Sequence, residues 1–301
     1  MSLLDRIHAC NRWNPKDFVP FGVDGARLGH CRRSFAAALA SAGTDFVQRD
    51  DALQWVSAPA DFTARTQALA AICADLVASG LISHLHGEQY PLTAGRREDA
   101  CCLIDRACAP YFGARAFGQH LNGYVRRPDG LHLWIGRRAA NRRVAPNQLD
   151  NMVAGGLPWG IALPDNLRKE CWEEAQIPAT LADRARPVGS ISYCRDSEHG
   201  LKPDLIYCYD LELPADFVPR CSDGEVAAFY LWPLEQVIRT VSDTTAFKLN
   251  CNLVIIDFLL RHGLITPAHP DYSAITAGLY GLAPTAADGV AIGGSNQDRT
   301  A

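Results

Sequence analysis

Apolar and polar positions change period along this chain. From Phe62 to Leu81 (FTARTQALAAICADLVASGL) apolar residues recur at helical spacing, and Gly80 closes the run, so a helix is expected there. Ahead of it, FVPFGVDGARLGHC reads as two short strands around a glycine turn, within a first 110 residues that read mainly as helix. From about Gln119 the period becomes two. HLNGYVRR and LHLWIGRRA alternate and are joined by Pro128-Asp129-Gly130, a hairpin turn. Residues 142–151 read as a loop and MVAGG follows. A helix is predicted from Pro164 to Gln176, stopped by Pro178. On it Leu167, Cys171 and Ala175 form one stripe that should pack inward. Pro164 suits the first helical position, and Asp165 suits the positive end of the helix dipole. VGSISYCR, PDLIYCYDLEL and EVAAFYLWPL continue as strands, and residues 246–262 read as a second, largely buried helix. Strands, a glycine loop feeding a helix, more strands and a closing helix imply an α+β chain whose mixed sheet lies between helices, an α-β-α sandwich.

The helix over 164–176 also carries Glu170, Glu173 and Glu174. At helical pitch they fall within an arc of about 100°. Carboxylates so close repel by roughly 3 kcal/mol per pair at an effective dielectric near 20. A hard divalent cation removes that penalty, and Mg²⁺ and Mn²⁺ prefer carboxylate oxygen. The acids alone read as a solvated helix face; with the preceding glycine turn and its strand context they point to metal-assisted attack on a diphosphate.

Composition narrows the setting. The chain has 301 residues and is 48% hydrophobic, enough for two modest domains. Its net charge of −4 leaves no global basic surface, which argues against nonspecific nucleic-acid binding. Eleven cysteines, an odd count with no CxxC, argue for reduced thiols in a cytoplasm rather than a disulfide frame or a zinc site. MSLLDRIHACNRW lacks the apolar core of a signal peptide, and the run Leu253–Leu260 is broken by Asp257 and too short to span a bilayer, so no membrane partner is expected. His84, His86 and Glu88 read as polar loop residues facing solvent. From Thr266 the tail is rich in Ala, Gly and Thr, and its last fifteen or so residues are expected to be mobile.

Residues 155–177, GGLPWGIALPDNLRKECWEEAQI, resemble the box of the Nudix hydrolase superfamily, GX5EX7REUXEEXGU with U apolar. Gly155 opens it, and Lys169-Glu170, Cys171, Glu173-Glu174 and Ile177 match the later positions by residue or by chemistry. Ile161 replaces the first Glu, Lys169 replaces Arg and Gln176 replaces the late Gly. In the family that first Glu and the Arg are often linked in a salt bridge, which this chain lacks an acid to form. NGYVRRPDGLHLWIGRRA, YCYDLELPADFVP, SDGEVAAFYLWPLEQV and FKLNCNLVIIDFLLRHGLI resemble one subfamily, with the Nudix domain behind a DUF4743 domain of unassigned function. In some fungi that unit is fused to thiamine pyrophosphokinase. LLDRIHACNRWNPKDFVPF resembles the N-terminal domain. The resemblance implies a DUF4743-like α+β domain over 1–118, a Nudix fold over 119–266 and a partly mobile extension over 267–301.

It also implies roles for particular residues. Glu170, Glu173 and Glu174, with a backbone carbonyl of Gly155 or Ala154, would hold Mg²⁺ or Mn²⁺. Glu173 and Glu174 would be catalytic together with Glu225, a further ligand or the general base, and Glu174 is the alternative base. Arg137 and Arg138 at a strand end, Trp159 in the glycine turn and Lys169 are candidates to contact substrate, Lys169 with a structural role as its alternative. Tyr193, Phe229 and Trp232 are further candidates for stacking on a ring. The implied activity is metal-dependent cleavage of a small-molecule diphosphate: thiamine diphosphate, its analogues or a nucleoside-diphosphate-like compound. Many Nudix proteins dimerise, so a homodimer is among the expectations. Two other readings stay open: an enzyme like isopentenyl diphosphate isomerase, and a noncatalytic module that binds a diphosphate ligand.

Overall fold

The helix expected over Phe62–Leu81 forms, but the region around it holds more strand than its sequence suggests. In the computed structural model, which describes residues 2–43 and 45–281, α1 (Leu3–Cys10) comes first. β1 (Phe18–Val23) and β2 (Ala26–Arg32) then pair antiparallel around Gly25, which takes φ +80°. After them come α2 (Arg33–Ala42), β3 (Phe46–Arg49), β4 (Ala52–Trp55), α3 (Phe62–Ala78), β5 (Gln89–Leu92) and β6 (Cys102–Asp105). Asp61 caps α3 by accepting the Ala64 N–H at 2.9 Å. The four-stranded sheet has the order β2-β1-β4-β3, with β1 and β4 parallel, and β5 and β6 pair separately. Strands β3 to β6 escape a reading by period because each has four residues. They form because Phe46, Leu53, Trp55, Tyr90, Leu92 and Ile104 are buried in one core with Phe21, Leu69 and Phe112.

The strands expected from Gln119 onward form one mixed sheet. β7 (Phe117–Arg127), β8 (Gly130–Arg138), β9 (Leu149–Asn151) and β10 (Val153–Gly156) precede α4 (Leu163–Ala175) and the short α5 (Ala179–Ala182). β11 (Arg186–Ser197), β12 (Gly200–Glu212), β13 (Val226–Pro233), α6 (Leu234–Asp243), α7 (Cys251–Arg261) and α8 (Tyr272–Tyr280) follow. The seven strands are ordered β11-β12-β7-β8-β13, with β10 on β7 and β9 on β8. β12 runs parallel to β7, whereas β8 is antiparallel to both β7 and β13. Alternation along each strand supplies two cores. Leu121, Val125, Trp134, Tyr209 and Leu211 pack with Leu167, Cys171 and Ala175 of α4. Leu133, Ile135, Ile206 and Cys208 pack with Val254 and Phe258 of α7 and with Ile7 of α1. The expected α-β-α sandwich is the result.

Two expectations need correction. The loop expected over 142–151 contains β9, and the helix expected from residue 246 begins at Cys251. Both have one cause. The Leu149 N–H donates to the Ala246 carbonyl at 2.8 Å and the Lys248 N–H to the Leu149 carbonyl at 2.8 Å, so the segment before α7 is held extended beside β9. Beyond Thr266, α8 buries Ile275 and Leu279. The chain divides into a unit of Met1–Cys10, Phe117–Tyr193 and Asp204–Gly281, and another that includes Asn11–Ala116 and Cys194–Pro203. The stretch expected to be mobile at the C-terminus lies outside the described residues. Among the described residues no helix is long and apolar enough to cross a membrane.

Candidate functional site

The site is built where β10 runs into α4. Ala154 pairs with His120 and Gly155 with Gln119, which seats the glycine turn on β7. Asn166, on the first turn of α4, donates to the Gly156 carbonyl at 2.9 Å and to Gln119 Oε1 at 2.8 Å. Gln119 Nε2 in turn donates to the Leu163 carbonyl at 2.9 Å and the Tyr209 hydroxyl at 3.2 Å. The start of α4 has no side-chain cap of its own. This network ties it to the sheet instead.

The acids of α4 are then held individually. A Cβ added at Gly155 would fall on the Glu170 carboxylate, and 2.7 Å from its Cγ, so the missing side chain is the recess Glu170 lies in. Glu174 is buried and accepts the Ala154 N–H at 2.8 Å. Lys169 Nζ lies 2.9 Å from Glu170 Oε1 and 3.1 Å from Glu173 Oε2. The far end of α4 brings in another acid. The Arg220 N–H donates to the Ala175 carbonyl at 3.2 Å, and Ser222 donates to the Glu173 carbonyl from both N–H (2.9 Å) and hydroxyl (2.8 Å). These bonds satisfy carbonyls that a helix end leaves open, and they anchor the loop leading to Glu225. Glu225 forms an ion pair with Arg142 at 2.8 Å.

Burial and the neighbouring acids make the charges of Glu170 and Glu174 electrostatically costly. Glu174 has its pKa pushed up to about 8, first by burial, then by Glu170, Asp150 and Glu225, against the Ala154 N–H. Glu170 is raised by burial and by Glu173 and Glu225, while Lys169 lowers it. Lys169 is raised: burial opposes its charge, and Glu170 and Glu173 outweigh that. Metal fits such a donor set. Every ligand atom offered is oxygen, and the Gly155 recess leaves room for the nearest carboxylate.

With this geometry in view, comparisons with known proteins locate the chain. A model described as a domain of unknown function, DUF4743, matches residues 2–116. Nudix hydrolase 20, chloroplastic, of Arabidopsis thaliana is 40% identical over 282 residues, covering 89% of this chain and 75% of that protein. Nudix hydrolase 24, chloroplastic, of the same plant is 41% identical over 276 residues, with coverage of 89% and 75%. The chain belongs to the Nudix hydrolase family. It is therefore an enzyme, of the pyrophosphohydrolase type, in a family that generally uses divalent metal ions. The Saccharomyces cerevisiae protein YJR142W, uncharacterized, is 34% identical over 197 residues, covering 60% of this chain and 57% of that one. Among solved structures, the Nudix domain of Shewanella oneidensis NrtR, complexed with ADP ribose, aligns at 11% identity over 50% of this chain and 90% of that one, with a TM-score of 0.39.

The departures from the Nudix box now have local explanations. Gln176 takes φ +50° at the C-terminal cap of α4, the left-handed region that glycine adopts without strain. With Ile161 in place of an acid, Lys169 turns to the acids of its own helix. The other residues singled out from sequence are spread. Arg137 is exposed at the end of β8. Arg138 is spent on Asp150 at 2.9 Å and the Val144 carbonyl at 3.1 Å. Trp159 is half-buried in the turn before α4.

Three features escaped the sequence reading. Asn166 and Gln119 carry no spacing signal, because their partners are backbone and distant side chains. Arg142, read only as loop, meets Glu225. The third is a buried cluster in which His120, Asp150 and Cys251 have ligand-type atoms within 4.8 Å of one another. The Cys251 thiol donates to Asp150 at 2.6 Å, Lys248 lies 3.3 Å from Asp150, and His120 Nδ1 is 2.8 Å from Asn151 Oδ1. Burial pushes the His120 pKa down to about 4 and holds the Cys251 thiol protonated. Asp150 stays low despite its burial because Lys248 and Arg138 favour its charge and the Cys251 thiol donates to it. Two basic side chains already balance this carboxylate, which makes the cluster a satisfied polar core rather than a place for an ion.

Proposed function

We propose that this enzyme cleaves a diphosphate linkage in a small molecule, with Mg²⁺ or Mn²⁺ held by Glu170, Glu173 and Glu174 and a carbonyl of the Gly155 turn. The observation that carries this reading is that Glu170 lies against the Gly155 turn and Glu174 on the Ala154 N–H, with Glu225 near enough to disfavour the charge of both. Bound there, a divalent cation neutralises charge on the phosphate oxygens. The chain supplies the rest. Glu225, oriented by Arg142, accepts a proton from the water that attacks phosphorus, and Glu174 is the alternative acceptor. The phosphorus–oxygen bond of the anhydride breaks, and a monophosphate leaves with the electron pair. Arg137, exposed where Arg138 is committed, is the better placed of the two to meet a phosphate. Trp159 offers a face for a heteroaromatic ring.

The substrate class we assign is thiamine diphosphate or its damaged analogues, on the strength of the subfamily resemblance, and the partners are small molecules rather than nucleic acid or membrane. All eleven cysteines are free, which supports a reducing compartment, and we place the chain in a cytoplasm although the names of the two plant relatives place those proteins in chloroplasts. A homodimer is part of the reading, and light scattering measures it. The activity test is phosphate and product release from a panel of diphosphates, thiamine diphosphate included, with Mg²⁺ or Mn²⁺. Turnover that nearly disappears in Glu173→Gln and Glu174→Gln is expected. Full turnover in either variant rejects the mechanism, and tight binding without any turnover marks a binding module instead.

A further inference from the structure

We infer that Lys169 occupies, in the resting enzyme, the place a divalent cation must take, so that metal binding here is an exchange of cations and Lys169 sets its affinity. This rests on the metal reading of Glu170 and Glu173 given above. One ammonium spans both acids, at 2.9 and 3.1 Å, as an ion between them would. The reason lies in the box. The base at 169 has Ile161 where the family has its acid, so the charge is satisfied on the helix itself. Its neighbour Arg168 behaves differently: it pairs with Asp165 at 2.8 Å and Asp183 at 2.6 Å, away from the acids. Arg142 on Glu225 at 2.8 Å repeats the pattern of a basic side chain stationed on a site acid.

The residue type matters. Lysine carries a point charge on a flexible stem, and this side chain is 43% exposed, so it can withdraw into water when a stronger cation arrives. An arginine fork engages carboxylates through several fixed donors and lets go less readily. Lys169 therefore relieves repulsion between acids in the metal-free protein and competes with metal for the same oxygens.

The test is Mn²⁺ binding to the full chain, by calorimetry and by the electron spin resonance signal of free Mn²⁺, together with melting temperature in chelator. Lys169→Gln should bind Mn²⁺ about three- to tenfold more tightly than wild type, and it should melt lower than wild type in chelator. Lys169→Arg should bind more weakly than wild type, which keeps the test open should the glutamine variant fold poorly. Arg168→Gln removes the same unit charge one residue away and should leave the affinity near wild type. Equal or weaker binding in Lys169→Gln beside normal binding by wild type overturns the exchange alone, as does an equal gain in Arg168→Gln. No Mn²⁺ binding by either wild type or Lys169→Gln overturns the metal reading of the site and the exchange with it.

Discussion

A methyl group added at Gly155 would land on the Glu170 carboxylate, so Gly155→Ala must drive that acid out of its recess. We expect Mn²⁺ affinity to fall about tenfold or more while circular dichroism stays that of wild type. Unchanged affinity would remove Glu170 from the ligand set. Glu174 makes a second prediction at the same scale. Its folded pKa of about 8 stands above that of an unfolded glutamate, near 4.3, so between those values the folded chain binds more protons than the unfolded one. The contribution of this group to stability thus declines as pH rises from about 4 to 8, the reverse of a salt-bridged acid. In chelator, melting temperature should drop over that window, and Glu174→Gln should flatten the drop; an equal slope in the variant would refute it. The acids themselves were visible from spacing. The individual fates of Glu170 and Glu174, one in a recess and one buried against a backbone N–H, were not, because burial depends on what lies across the gap.

At the scale of the element, α4 carries its own signature. Its inward stripe of Leu167, Cys171 and Ala175, and its proline near the start, are local features, and the helix spans Leu163–Ala175 where 164–176 was expected. The one-residue difference at its end is instructive. Gln176 leaves the helix in the left-handed region, where a side chain costs roughly 1 kcal/mol or more. Gln176→Gly should therefore raise unfolding free energy by about 1 kcal/mol, read by urea titration. A loss of stability would show that Gln176 contributes contacts outweighing its strain. Strands β3 to β6 mark the opposite case. Four residues are too few for alternation to stand out, and such strands exist because neighbours complete their ladders and cover their side chains.

Across the whole molecule, Asp150 joins elements far apart in sequence. From β9 it holds Arg138 of β8, Lys248 before α7 and Cys251 at the start of α7. Asp150→Ala would leave the partly buried Arg138 and Lys248 without the buried carboxylate they balance and should cost about 3 kcal/mol in urea unfolding. A loss under about 1 kcal/mol would mean that water reaches the cluster and screens it. Lys248 and Cys251 attracted no attention as residues in a chain, since the Cys251–Asp150 bond spans 101 positions and no periodicity links its ends.

Period and short motif were thus sufficient for the sheet strands after Gln119, for α4 with its stripe, for the trio Glu170, Glu173 and Glu174, and for the Nudix family. Each of these depends on neighbours within a few turns or strand lengths, where hydrophobic spacing reports burial directly. The arrival of Glu225 beside that trio depended on the folded chain: loop hydrogen bonds from Arg220 and Ser222 close onto the end of α4, while Arg142 pairs with Glu225. The gathering of His120, Asp150, Cys251, Arg138 and Lys248 likewise answers to packing. Buried charges must find partners, and in a folded chain the partner within reach is set by which backbones lie side by side, not by distance along the sequence.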